Sequence, residues 1–162
     1  MTKFEKYHPL LTPHYTLDWL TKVRVKNVLT LYQQMSNAQT PPTILTTADQ
    51  LNQTMREIFH DQKLVWGIST RPTDQFIGQA GFDPIDLTAK TAVLTVTVLT
   101  AHHQIAVLTE IYQRLIAFAW HELHLTHLTV IPAADDTMTR SLLSQLDFVP
   151  TTPAAQSYEL KN

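Results

Sequence analysis

Cysteine is absent from this sequence, which excludes disulfides and thiolate-held metals, and with them a small secreted domain stapled by cross-links. Glycine is almost absent too. With only three in the chain, there are few places where the backbone can take positive φ or let a ligand approach without a Cβ in the way. No run of Lys or Arg occurs and the net charge is -2, so the footprint of a nucleic-acid backbone is missing and no nucleic-acid partner is expected. A small amine-bearing partner suits this charge balance better. No stretch approaches the roughly 20 apolar residues needed to cross a bilayer, and the start from Met1 to His8 has no apolar leader core. The expectation is a soluble cytoplasmic protein without membrane contact, one domain over residues 1–162, long enough to bury a continuous core and acting as a monomer or homodimer. Repeats and low-complexity segments are also missing.

What is present is organised around Thr91 to Leu123. Ala92, Leu94, Val96 and Val98 alternate with Thr91, Val93, Thr95 and Thr97, and the β-branched content predicts a strand ending near Leu99. A short loop, Thr100 to Gln104, follows. Leu108, Ile111, Leu115, Phe118, Ala119 and Leu123 then recur at three- and four-residue spacing, with Glu110, Gln113, Arg114, His121 and Glu122 largely off that face, which predicts a helix from Ile105. Strand, loop and helix in this order aim the free N–H groups of a helix start at an anion.

Upstream, Phe4 to Leu11 is a weak strand interrupted by Pro9, Tyr15 to about Arg24 reads as a helix after Pro13, and Val28 to Met35 continues helical or follows a kink. Asn37 to Thr43 is a loop because of its paired prolines. Thr47 to Gln50 has capping-box spacing before a helix carrying Leu51, Met55, Ile58 and Phe59 and ending near His60. Leu64 to Thr70 and Phe76 to Phe82 form a hairpin about a turn at Arg71 to Asp74, with Asp83 to Lys90 as a connection. Downstream come a strand from Leu125 to Ile131, a helix capped by Asp135 or Asp136 and carrying Met138, Leu142, Leu143 and Leu146, and two short strands between Phe148 and Leu160 parted near Pro153. The fold class is mixed α/β (α+β), a central, mostly antiparallel sheet flanked by helices.

Taken with Val65-Trp-Gly-Ile68, Phe76-Ile-Gly-Gln-Ala-Gly-Phe82, Ile105-Ala-Val-Leu-Thr-Glu110 and Ser141-Leu-Leu-Ser-Gln-Leu-Asp-Phe148, this order resembles the GNAT N-acetyltransferase superfamily. The likeness is closest to the branch that acetylates ribosomal-protein N-termini, and it covers Val65 to the C-terminus best. It implies acetyl-CoA as acetyl donor, no metal, and a protein N-terminus or small amine as acceptor. It also implies a central strand splayed from the strand Leu125 to Ile131.

In the resembled family a loop of pattern Gln/Arg-x-x-Gly-x-Gly/Ala holds the CoA pyrophosphate. Aligning Thr109-Glu110 with the family's Thr-Glu places the pattern on His103, Ala106 and Leu108, with no glycine at either glycine position. The resemblance thus implies cofactor contacts at Val98, Leu99, His103, Gln104, Ile105, Ala106, Val107, Leu108 and Thr109. The helix start itself, with His102 and His103 adding charge when protonated, keeps the attraction for an anion. The family's Asn-x-x-Ser falls on Asp136-Thr-Met-Thr139. This implies a CoA contact at Asp136 and a proton-returning hydroxyl at Thr139, while Asp147 stands where glycine is usual. The family's frequent Glu base would fall at Val93. Asp83, Asp86, His102 and His103 remain as candidates for proton removal.

Each candidate has a plain alternative. His102 and His103 can be a solvated loop pair, and Asp136 and Thr139 a helix cap with a first-turn polar residue. Asp83 and Asp86 flank Pro84 as turn residues do, and Gly78 and Gly81 can mark a bulge or close strand approach. His121, Glu122, His124 and His127 lack the two-His, four-apart spacing of zinc proteases. Trp19, Trp66 and Trp120 fit core or core-edge positions. The resemblance implies one of two functions: an acetyl-CoA-dependent N-acetyltransferase working by direct amine attack on the thioester, or a catalytically silent domain of the same fold that binds a ligand or partner.

Overall fold

The computed structural model describes residues 4–36, 39–151 and 156–162. Its frame is one eight-stranded sheet in the order β1-β2-β3-β4-β5-β6-β8-β7. The strands are β1 (Leu10–Leu11), β2 (Tyr15–Asp18), β3 (Leu64–Thr70), β4 (Phe76–Asp86), β5 (Thr91–Val98), β6 (His127–Val130), β7 (Val149–Pro150) and β8 (Tyr158–Lys161). Four helices cover it, α1 (Val25–Met35), α2 (Ile44–Phe59), α3 (Ile105–His121) and α4 (Thr137–Gln145). Every pairing is antiparallel except β5 with β6. This matches the expected mixed class.

The alternation in β5 sorts its two faces. Ala92, Leu94 and Val98 join Leu108, Ile111, Leu115, Phe118 and Ala119 of α3 in the larger core. The Thr face looks toward α1 and α2, whose Val28, Leu31 and Leu51 form a smaller core with Leu20, Val65 and Phe76. Trp66 is fully buried, stacks on Trp19 at 6.5 Å and meets Phe118 edge-on at 5.4 Å. Its Nε1–H donates to the Tyr7 carbonyl at 2.7 Å, as a buried indole requires.

The N-terminal third corrects the sequence reading. Tyr15 to Asp18 is a strand, not the first turns of a helix, because it ladders onto β3 with Leu17 opposite Ile68 and Leu17 fully buried; only Leu20–Lys22 turns, as 3₁₀. Tertiary pairing outweighs a three-residue spacing that fits both templates. Helix α2 starts earlier than Thr47, at Ile44, since Thr43 and Thr46 exchange side-chain-to-backbone bonds as a capping box. The weak strand near Phe4 shrinks to Leu10–Leu11, and β4 runs on to Asp86 past an irregularity between Phe82 and Ile85, where Pro84 offers no N–H to a ladder. Pro153, expected to part the last two strands, and Asn37 at the start of the expected loop lie outside the described residues.

Candidate active site

The sheet opens where β5 meets β6. The parallel ladder holds Thr91 to His127, Ala92 to Leu128 and Val93 to Thr129, then stops. Residues 94–98 of β5 carry on without a β6 partner, while the chain after β6 leaves through Pro132 toward α4. A wedge-shaped cavity of about 370 Å³ fills the gap, bounded by residues 93–98 of β5, His103, Tyr112, the turn after β6, Asp136 and Thr139. The free edge of β5 offers unpaired backbone N–H and C=O groups to an extended ligand, as an open strand edge does.

Just after His103, which borders this wedge, α3 begins, with Ile105 and Ala106 bordering a separate groove of about 670 Å³. The helix N-cap, Gln104, makes no side-chain cap hydrogen bond, so the first-turn N–H groups of Ile105, Ala106 and Val107 keep the open donors and partial positive charge that suit a phosphate. Leu108 differs: its side chain is 1% exposed in the core and its N–H already donates to the Gln104 carbonyl at 3.1 Å. The Thr109 hydroxyl likewise donates to the Ile105 carbonyl at 2.6 Å. Val98 lines the wedge, Leu99 packs against the smaller core, His103 reaches the wedge, and His102 ends a short 3₁₀ turn outside it.

The start of α4 faces the same space. Asp136 caps that helix, its Oδ1 accepting from the Thr139 N–H at 3.0 Å and its Oδ2 from the Thr139 hydroxyl at 2.6 Å. The His103 Nε2 lies 3.2 Å from the same Oδ1. Burial works to raise the Asp136 carboxyl, but the Thr139 and His103 contacts outweigh it and hold the group below the ordinary carboxylate range. Both readings of Asp136 and Thr139 therefore meet at one place, since the cap residues also line the wedge.

A second chamber, of about 430 Å³, opens on the α1–α2 side of the sheet. Tyr32, Gln79, Lys63 and Asp83 are among its walls, and Thr95 and Thr97 belong to both chamber and wedge. The two spaces thus share Thr95 and Thr97 of β5 as a wall. Lys63 is 8% exposed, with its Nζ 3.4 Å from Asp83 and 3.6 Å from Glu57. The Tyr32 hydroxyl donates to Gln79 Oε1 at 3.2 Å. Sequence reasoning reached Asp83 both as a candidate for proton removal and as a turn residue, and missed Tyr32, Lys63 and Gln79, which nothing in their local spacing marks.

The family model for an acetyltransferase (GNAT) domain matches residues 16–149. This chain belongs to the GNAT acetyltransferases. Solved structures similar to this GNAT chain include the microcin C7 self-immunity acetyltransferase MccE in complex with acetyl-CoA and AMP, at 14% identity over 93% of this chain and 94% of that one, TM-score 0.76. The ribosomal-protein-S5-alanine acetyltransferase of Vibrio fischeri matches at 11% identity over 95% and 96%, TM-score 0.74. Mutant forms of the spermidine/spermine N-acetyltransferase SpeG of Vibrio cholerae match at 12% over 91% and 94%, TM-score 0.71. No curated protein matches the sequence.

Within the GNAT frame, Val93 sits in the last β5–β6 pair and offers no base. Gly78 and Gly81 are structural: a Cβ on Gly78 would lie 2.3 Å from the Thr97 carbonyl oxygen, and one on Gly81 2.1 Å from that of Leu64. Asp86 accepts from the Ala89 N–H at 2.9 Å in a turn. His127 contacts Glu159 at 3.8 Å, and among the described residues no group of three or more His, Asp or Glu is placed to hold a metal. No helix there is long and apolar enough to cross a membrane.

Proposed function

We propose that this GNAT chain transfers an acetyl group from acetyl-CoA to a primary amine, at a protein N-terminus or on a small molecule, by direct attack on the thioester. The observation that carries the reading is the end of the β5–β6 ladder at Val93, which leaves a wedge bordered by His103, just ahead of the uncapped start of α3, and a second chamber that shares Thr95 and Thr97 with it. When bound, acetyl-CoA supplies an activated acetyl thioester. The N–H groups of Ile105, Ala106 and Val107, with His103 beside them, hold its pyrophosphate. Ala106 keeps its N–H and adds one methyl where glycine is usual, a mild obstruction. The open edge of β5 orders the pantetheine amides.

The chamber receives the amine. Asp83 is the carboxylate on its wall, already facing Lys63, and the other polar walls are hydroxyls and amides of Tyr32, Ser36, Gln50, Thr54, Gln79, Thr95 and Thr97. This supports an acceptor with one amine and uncharged polar substituents over a polyamine, which would need several carboxylates to replace its hydration. Attack requires the nitrogen to lose a proton, and Asp83 can take it through water.

Thermal shift and thiol release test this together. A ligand at a hundred times its Kd stabilises a fold by about 2.7 kcal/mol, roughly 5 to 10 °C for a domain of this size. Acetyl-CoA at 2 mM, a hundred times a Kd of about 20 μM, is expected to give such a shift, Ala106→Gly a larger one, and peptides beginning with serine or alanine more thiol release than spermidine. No shift in either protein overturns the reading in favour of a silent domain.

A further inference from the structure

A second hydroxyl opens into the wedge, at a position that helix periodicity hides among core residues. Tyr112 follows Ile111 in α3, is 2% exposed, and lines the wedge together with Asp136 and Thr139. Its oxygen makes no hydrogen bond among the described residues. Yet the one sealed side-chain polar atom without a partner among those residues is Thr47 Oγ1. An unpartnered oxygen that is not sealed must reach open space, and the wedge is the cavity Tyr112 borders. Thr139 is the contrasting case. Its hydrogen is directed at Asp136 Oδ2 at 2.6 Å, and an aliphatic hydroxyl is in any case a much weaker acid than a phenol.

We propose that Tyr112, not Thr139, returns the proton to the departing sulfur, an inference that rests on the acetyl transfer proposed above. The amine nitrogen forms the C–N bond at the thioester carbon, the C–S bond breaks, and its electron pair leaves on sulfur. The Tyr112 O–H proton passes to that sulfur to give the free thiol. The nitrogen releases one proton to water, and the phenolate regains one from water, so protons balance over the cycle. A phenol and a thiol have ordinary pKa values near about 10 and 8.5; in the wedge the dry surroundings and the Asp136 carboxylate that raise the phenol also act against a developing thiolate, so transfer to that sulfur rests on both groups being raised together. Burial first, and then the Asp136 carboxylate, push the Tyr112 phenol up, which keeps it protonated until that charge appears.

The binding half of the test needs no acceptor. Calorimetric affinities of CoA and of desulfo-CoA, which has hydrogen in place of the thiol, are measured for the wild type, Tyr112→Phe and Thr139→Val across pH 7 to 9.5. If the phenol contacts sulfur, Tyr112→Phe weakens CoA about 3- to 10-fold, with the loss growing as the thiol ionises, and leaves desulfo-CoA unchanged. Thr139→Val shifts both ligands in parallel. With a serine-initiated peptide and acetyl-CoA, Tyr112→Phe lowers kcat about 10²- to 10⁴-fold with little change in KM. Equal effects of Tyr112→Phe on the two ligands, or a CoA-selective loss in Thr139→Val instead, overturn the assignment while leaving acetyl-CoA binding standing. Failure of the wild type to bind either ligand removes the acetyl-transfer reading and this inference with it.

Discussion

Asp136 shows how one residue can serve a helix and a cavity at once. Its carboxylate takes the Thr139 N–H and hydroxyl, the usual service of an N-cap, while one of its oxygens also meets His103 across the wedge mouth. Removing the cap with Asp136→Ala is expected to lower stability by about 0.5–2 kcal/mol, read as a drop of roughly 1 to 8 °C in a thermal melt. Asp136→Asn keeps an oxygen for the cap and restores most of that loss. Were Asn no better than Ala, the charge facing His103, and not the cap, would be what stabilises the start of α4. The local pattern Asp-x-x-Thr was readable as a cap from sequence. That the same pair borders the wedge was not, because the facing strand lies some forty residues earlier in the chain.

Helix α3 is tied to the rest of the molecule through its first two turns. Glu110, one turn past the candidate pyrophosphate donors, accepts from the Thr12 hydroxyl, from the His14 N–H at 2.9 Å, and lies 2.7 Å from His14 Nδ1. These contacts pin the β1–β2 turn across the helix. Burial acts to raise the Glu110 carboxyl, but the bonds from Thr12 and His14 prevail and hold it below its ordinary 4.5. A folded-state value below the unfolded one adds stability that is fully present above the unfolded value and fades as pH falls through the folded one. Glu110→Gln is therefore expected to cost about 0.5–1 kcal/mol at pH 7, the group being near solvent and screened. Melting wild type and variant at pH 7 and again at pH 3 should show the gap close on the acid side. A gap that persists at pH 3 would assign the effect to packing.

Across the whole molecule, the wedge depends on the sheet being continuous on one side of β5 and broken on the other. Gly78 and Gly81 let β4 lie close to both neighbours: a Cβ on Gly78 would also sit 2.7 Å from Val98 Cα, against backbone that cannot rotate away. Gly78→Ala should thus cost about 3 kcal/mol or more, at or beyond the upper end of overpacking effects, measured as a fall in the urea midpoint at unchanged m-value. Because Thr97 belongs to both wedge and chamber, the shift should weaken acetyl-CoA as well. A Gly78→Ala protein of wild-type stability would mean that β4 and β5 separate easily.

Periodicity by itself determined β5, α3, the β3–β4 hairpin and α4, since in each the face that must be buried is written every second or every third to fourth residue. Composition determined that no disulfide or thiolate metal site could form. Local spacing could not decide whether Tyr15 to Asp18 was strand or helix, because its partner Gly67 to Thr70 is about fifty residues away in the chain. Spacing did put Leu108 on the buried face, but it could not say that Tyr112, in the same apolar helix, borders a cavity. That outcome depends on where β5 and β6 part, and strand separation is set by what packs between and behind the strands, a property of the assembled sheet that no single segment carries.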